Sequence, residues 1–190
     1  MASDDPFIST DDLGNYLGRD VSADDGALIA VDAACNIIRD LTGQTFNGVT
    51  GDTVTLDGSG TDCLLLPQVP VTAAGTVTLG GVALTEGLDY VLADARKLIR
   101  TAGTSWTTTL YGDLTVWDLG RQNVTVTYDH GYAGTVPSDV RMVALQVASR
   151  IALQGIVTAE TLASQVLTYA SPALDLTPGE RLILNRHRAY

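Results

Sequence analysis

His130 is the side chain whose setting best suits proton transfer. It lies in the run Tyr128-Asp129-His130-Gly131-Tyr132, where a neighbouring carboxylate could orient the imidazole as a general base. Such a base works only beside a group it can deprotonate, and no nucleophile is identifiable next to it. Gly131 directly after an alternating apolar run, with Gly134 and Pro137 following, reads instead as a strand-to-helix turn whose polar side chains bond local backbone. A small hydrolase built around His130 remains the enzyme alternative, and it requires a nucleophile within hydrogen-bond reach of the ring.

The other residue types with chemical potential fall into weaker patterns. Asp20 through Asp24-Asp25-Gly26 lacks the alternating oxygen ligands and closing Glu of a calcium loop, so the acids read as a helix cap and its first turn. Cys35 and Cys63 have no Cys or His at ligand spacing, which excludes a zinc site. Both are expected as reduced core residues, with a bridge possible only if the fold brings their Cα atoms within about 7 Å. Trp106, Tyr111 and Trp117 could stack sugar rings on a small β module, or fill its core. Arg96, Lys97 and Arg100 flank Leu98 and Ile99, which suggests a solvated strand edge rather than a phosphate site. There is no nucleophile elbow, no phosphate-cradling loop with a Lys, no paired-His helix and no dinucleotide fingerprint. No cofactor, metal or catalytic residue is therefore assigned.

Charge narrows the partners. The 190 residues carry 11 basic and 22 acidic side chains, a formal net charge of −11. Residues 1–62 alone hold 12 acids and two Arg, whereas residues 129–190 hold five of each sign. A sequence-reading duplex binder is disfavoured, while a surface that DNA must pass without sticking, or a partner with a basic face, is compatible. The longest apolar runs, such as Cys63 to Pro67, fall far short of the roughly 20 residues that cross a bilayer. Asp4 and Asp5 stand where a secretory signal would be positive, so neither membrane insertion nor export is expected.

The elements that must position these residues change character along the chain. Ser9 and Asp12 form a capping box for a first helix that ends at Gly18. Ser22, with Asp24 and Asp25 in the following turn, is expected to open a longer helix through Leu28, Val31, Cys35 and Ile38 to Gly43. From about Val49 the period switches to two, with Val54 and Leu56, Val77 and Leu79, then Val124, Val126 and Tyr128. Punctuated by Asp57-Gly58 and Gly80-Gly81, this stretch predicts an antiparallel sandwich or barrel of six to eight strands. After Pro137 a helical repeat from Val140 to Ile151 predicts the strongest helix, stopped by Gly155. Following a Thr- and Ser-rich connection, Thr177-Pro178-Gly179-Glu180 caps a last helix with Arg186, His187 and Arg188 in its final turn. The fold class is thus α+β: a small bundle of about four helices with an inserted antiparallel β subdomain. Residues 1–48 and 131–190 supply the helices and residues 49–130 the insert.

Several of these pieces, in this order, resemble the head-to-tail connector (adaptor) proteins of tailed double-stranded DNA phages. They are Ile8-Ser9-Thr10-Asp11-Asp12-Leu13, Leu41-Thr42-Gly43-Gln44-Thr45-Phe46, Leu56-Asp57-Gly58-Ser59-Gly60, Leu64-Leu65-Leu66-Pro67 with Pro70-Val71, Asn123 to Tyr128, Val136 to Arg141, and Leu176 to Arg181. The resemblance runs from about residue 7 to 188. It implies a structural virion protein without chemistry, located in the virion neck and assembled in the host cytoplasm. Its subunits would form a closed ring, usually dodecameric, between the portal protein and a stopper or tail-completion protein, with DNA leaving through the channel. Minimal connectors are mostly helical, so the β segment is a departure. A carbohydrate- or surface-binding β module is the alternative outside that class.

The apolar surfaces of residues 27–41 and 140–153 exceed what one small bundle should bury. Leu28, Val31, Ile38, Met142, Leu145 and Leu153 are therefore expected at subunit contacts. The resemblance, together with a short helix that is marginal alone and a cluster of cations, makes residues 171–190 the expected portal contact. Its candidates are Arg181, Leu182, Ile183, Leu184, Arg186, His187, Arg188 and Tyr190.

Overall fold

The computed structural model describes residues 5–101, 116–153, 159–162, 165–168 and 176–188. Trp106, Tyr111, Gly155 and Tyr190 lie outside them. The class is α+β. In chain order the elements are α1 (Thr10–Leu17), α2 (Asp25–Thr42), β1 (Val49–Gly58), β2 (Cys63–Leu65), β3 (Val71–Leu79), β4 (Val82–Leu84), β5 (Tyr90–Ala93), β6 (Lys97–Arg100), β7 (Gly120–His130), α3 (Ser138–Leu153), β8 (Ala159–Leu162), β9 (Gln165–Thr168) and α4 (Pro178–Asn185). The chain divides into two compact units. Among the described residues, one is Gln44–Gly134 and the other is 5–43 together with those of Thr135–Arg188. Among the described residues no helix is long and apolar enough to cross a membrane.

The first unit holds seven described strands in two antiparallel sheets, ordered β1-β7-β3-β4 and β2-β6-β5. Alternation along β7 turns Val124, Val126, Tyr128 and His130 inward, and register pairs Val126 with both Val54 and Val77. Both sheets feed one core of Leu64, Leu66, Val71, Val77, Tyr90, Leu98, Trp117, Val124, Val126 and Tyr128. The link between β3 and β4 is the two residues Gly80 and Gly81, at φ +56° and +85°. That is the mirror-image turn whose twist suits a tight hairpin, and glycine adopts it without strain. Gly131, at φ +83°, is required for a second reason: a Cβ there would sit 2.1 Å from the Asn47 carbonyl oxygen.

One expectation for this unit is corrected, and the burial of Trp117 decides between the two readings given for it. Strand β6, which carries Lys97 and Arg100, is the central strand of its sheet rather than a solvated edge, because Leu98 is fully buried and pairs with Leu64 on one side and Leu92 on the other. Trp117 is likewise fully buried. Its indole Nε1 donates to the Leu98 carbonyl at 3.3 Å and the Arg100 guanidinium covers its ring, so it offers no face to a sugar.

The second unit is built on small residues. Ala27, Ala30, Val31, Ala34, Cys35 and Ile38 of α2 form a buried stripe that packs on Val140, Val143, Ala144, Val147 and Ala148 of α3. Alanine at five of these positions lets the two helices approach closely, and α1 and α4 pack on both. The α1 capping box forms as expected: Ser9 Oγ accepts from the Asp12 N–H and Asp12 Oδ2 from the Ser9 N–H, both at 3.0 Å. Helix α2 begins later than expected. Asp24 caps it by accepting from the Gly26 N–H, while Ser22 lies in the preceding turn, where its N–H donates to Asp20. Helix α4 starts at its Thr177-Pro178-Gly179-Glu180 box but ends at Asn185, which leaves Arg186 as the cap and His187 in the following turn. Strands β8 and β9 pair with each other where only a connection was expected.

Cys35 is buried and Cys63 half-buried, and both are free thiols. Burial pushes the Cys35 thiol up, against the hydrogen bonds it receives from the Phe7 and Ile8 backbone.

Candidate functional site

His130 is closed off. It is 1% exposed, at the end of β7, with Nε2 3.2 Å from Asp52 Oδ2 and its ring stacked at a tilt on Tyr128. The carboxylate that meets it is Asp52 of β1, and the adjacent Asp129 accepts from the Gly51 N–H instead. Its Nδ1 has no hydrogen-bond partner among the described residues. A ring buried this way cannot reach a substrate, and the Asp52 contact reads as a clamp between β1 and β7. Among the described residues no group of three His, Cys, Asp or Glu could hold a metal ion.

In the helical unit, three side-chain contacts fix how the helices run. Arg141, in the first turn of α3, pairs with Asp12 in the first turn of α1. Arg150, near the end of α3, grips Glu180 of α4 through both nitrogens, at 2.7 and 3.0 Å. Asp139, in the first turn of α3, meets the His187 ring at 2.9 Å just past the end of α4. Helix α4 therefore runs antiparallel to α3. Cys35 and Arg39, in the second half of α2, sit against Phe7 and Asp5 ahead of α1. The start of α2 consequently lies beside the end of α1, where Val21 closes on Gly14.

These contacts shift the carboxylates. Burial works against ionisation of Asp12 and Glu180, but hydrogen bonds from their cap backbones and from Arg141 or Arg150 outweigh it and hold both below their ordinary range. The hydrogen bond from His187 holds Asp139 down as well, and Glu180 raises Arg150.

Some apolar side chains of the unit stay exposed. Tyr16 at the end of α1, Leu28 and Ile29 at the start of α2, and Leu153 at the end of α3 are 48, 55, 68 and 46% exposed. Singly exposed apolar side chains are ordinary on a protein surface, and these four are exposed on three different helices. Of the expected subunit contacts, Leu28, Met142 and Leu153 are thus on the surface and Leu145 is half-buried. Val31 and Ile38 are corrected: they belong to the alanine-rich stripe facing α3, inside the subunit. Of the expected docking residues, Arg181, Leu182, Arg186 and Arg188 are exposed, while Ile183 and His187 are half-buried. Leu184 is corrected to a core residue, because α4 lays that face on its own α2 and α3. Ile29 and Tyr16 were missed. Once Ala27, Ala30 and Ala34 mark the inward stripe of α2, the 100° step per residue turns Leu28 and Ile29 away from it, a signal the sequence did contain.

No protein-family model matches the chain, and no curated protein matches it. Solved structures do. The chain is similar to one in the neck of a native gene transfer agent (GTA) particle with twelvefold symmetry, at 15% identity and TM-score 0.52 over 94% of this chain and 87% of that one. It is also similar to a chain in the neck of an empty GTA particle with sixfold symmetry, at 16% identity and TM-score 0.55 over 99% and 92%. A third match is in the virion of a native gene transfer agent, at 17% identity and TM-score 0.53 over 95% and 89%. They share a fold. At these identities the likeness is one of architecture, carried along nearly the whole chain rather than by one unit.

Proposed function

We propose that the chain is a head-to-tail adaptor, a structural subunit of the neck of a phage or phage-like virion. It assembles as a homo-oligomeric ring, twelve subunits in the particle, between the portal and a stopper or tail-completion protein, and DNA passes through its channel without sequence-specific binding. The observation that carries this reading is the fold shared with chains of gene transfer agent necks and virions along 94 to 99% of the sequence. The twelvefold and sixfold symmetries of those necks support a ring. The uneven negative charge agrees with it.

In this reading the four helices are the ring core and Gln44–Gly134 is a unit inserted in the chain between them. The exposed Arg181, Leu182, Arg186 and Arg188 are offered to an acidic face of the portal. Like-charge repulsion keeps the free protein monomeric until the portal collects it. Native mass measurement of the purified chain, alone and with portal, should show monomers becoming a portal-bound ring. A cryo-EM map of the intact neck that lacks a ring of this chain would overturn the proposal. Truncation after Ser171 that leaves portal affinity unchanged would overturn the docking role of the last helix.

A further inference from the structure

The four-stranded sheet of the first unit carries two apolar rows that run straight across its strands. One is Leu56, Val124, Leu79 and Val82; the other is Val54, Val126, Val77 and Leu84. Directly paired residues share a face of a sheet, so each row is one continuous strip. Both strips are sealed in the middle and open at the ends. Val124, Val126 and Val77 are fully buried, whereas Val54, Leu56 and Leu84 are half-buried and Val82 is 67% exposed. The ends are the outer strands β1 and β4, neither of which has a second strand beside it among the described residues. Outer strands are commonly blunted by charge or by bulges. Here the bulges of β1 flank Asp52–Leu56 and leave that run regular, and neither Thr53 to Leu56 nor Val82 to Leu84 carries a charge.

The two edges complement each other. In the order β1-β7-β3-β4 every neighbouring pair is antiparallel, so β1 and β4 run in opposite directions. A copy set alongside in the same orientation therefore presents its β4 antiparallel to β1. Placing Leu56 opposite Val82 of that copy also places Thr55 opposite Ala83 and Val54 opposite Leu84, and both apolar rows then continue from one copy into the next. We infer that β1 of each subunit pairs with β4 of a neighbouring copy in this register, joining their sheets. The contact presents different surfaces on its two sides, and repeats of it close into a ring when the rotation between copies permits. Pairing β1 with a second β1 would give only a twofold pair and leave Val82 uncovered. A ladder of three residues is weak alone, which suits copies that meet only when portal holds them side by side. The inference rests on the ring proposed above and adds which strands its neighbours share.

The full chain with Thr55→Cys and Ala83→Cys, assembled on portal and treated with a short thiol-to-thiol reagent, tests it. Both positions are exposed, and within one chain they lie three strand spacings apart, about 14 Å, too far for such a reagent to join. The double variant should give a ladder of covalently joined chains, and the native chain and each single variant should give none. Portal-bound rings without inter-chain cross-links overturn the inference while the adaptor reading stands, and so does an equal ladder from either single variant. If the native chain forms no ring on portal or in the neck, the adaptor reading fails and this inference with it. Val82→Glu, at a side chain already exposed, should melt as the native protein does and need about tenfold or more concentration to form rings. Rings from that variant at native concentration count against the inference, and the cross-link decides even if the variant does not fold.

Discussion

The two units solve the problem of cohesion by different means. Gln44–Gly134 closes two sheets over large side chains, with Trp117, Tyr90 and Tyr128 at the centre. The helical unit centres on an alanine- and valine-rich contact between α2 and α3, and it adds charge pairs that clip α1 and α4 onto α3. The lesson is about interiors. Both units leave bulky groups outside, Leu119 and Val82 on one and Ile29 and Leu28 on the other, so the difference lies in what fills the interior.

The sharpest way to break this contrast is Trp117→Ala. It removes the largest buried side chain and should cost about 3–5 kcal/mol in a denaturant titration followed by near-UV circular dichroism. A loss under about 1 kcal/mol would deny the aromatic core its role. Next comes Glu180→Gln. Glu180 is 5% exposed and Arg150 only partly so; removing one partner should cost roughly 2–3 kcal/mol in the helical transition, with Arg150→Met alongside it restoring part of the loss. If the double variant is no better than the single, the clip is not a pair.

A smaller effect separates the units by pH. Asp12, Asp139 and Glu180 are held below their usual values in the folded state, so the stability they confer is complete above the unfolded carboxylate range. It is lost as pH falls through that range and then through the folded values. Melting from pH 7 down to about 3 should therefore weaken the helical signal before the β signal. The reverse order would count against the clips. Smallest of all, Leu119→Ser in the β unit, at a side chain 84% exposed, should shift stability by less than about 0.5 kcal/mol and leave ring assembly unchanged.

Local chemistry was the legible part of the sequence. Both capping boxes, the Gly18 and Gly43 ends, the Gly80-Gly81 hairpin and the alternation of β7 announce themselves within a few residues of one another. The start of α2 differs from the expectation because Ser22 and Asp24 are both good caps two residues apart, and it is Asp24 that accepts from the Gly26 N–H. The central position of β6 and the burial of Trp117 depend on which strands pair, and that information is non-local. The clips could not be read at all. Asp12 and Arg141 are 129 residues apart, and neither has a partner at helical spacing to hint at the other. Surface and core positions on α2 were mixed for a related reason: Leu28 and Val31 are equally apolar, and the alanines, not the larger residues, mark the face that α3 occupies.

Asp12 and Glu180 each do two things at once, since the carboxylate that starts a helix is also the one an α3 arginine holds. The position where α1 or α4 begins and the position where it attaches are thereby the same coordinate. Arg141 and Arg150 lie nine residues apart, about 13.5 Å along the axis, so α3 acts as a ruler with two marks. Neither short helix can slide by a turn without giving up its first turn as well as its anchor. A single residue inserted between the two arginines would swing one mark about 100° around α3 and put the two out of phase.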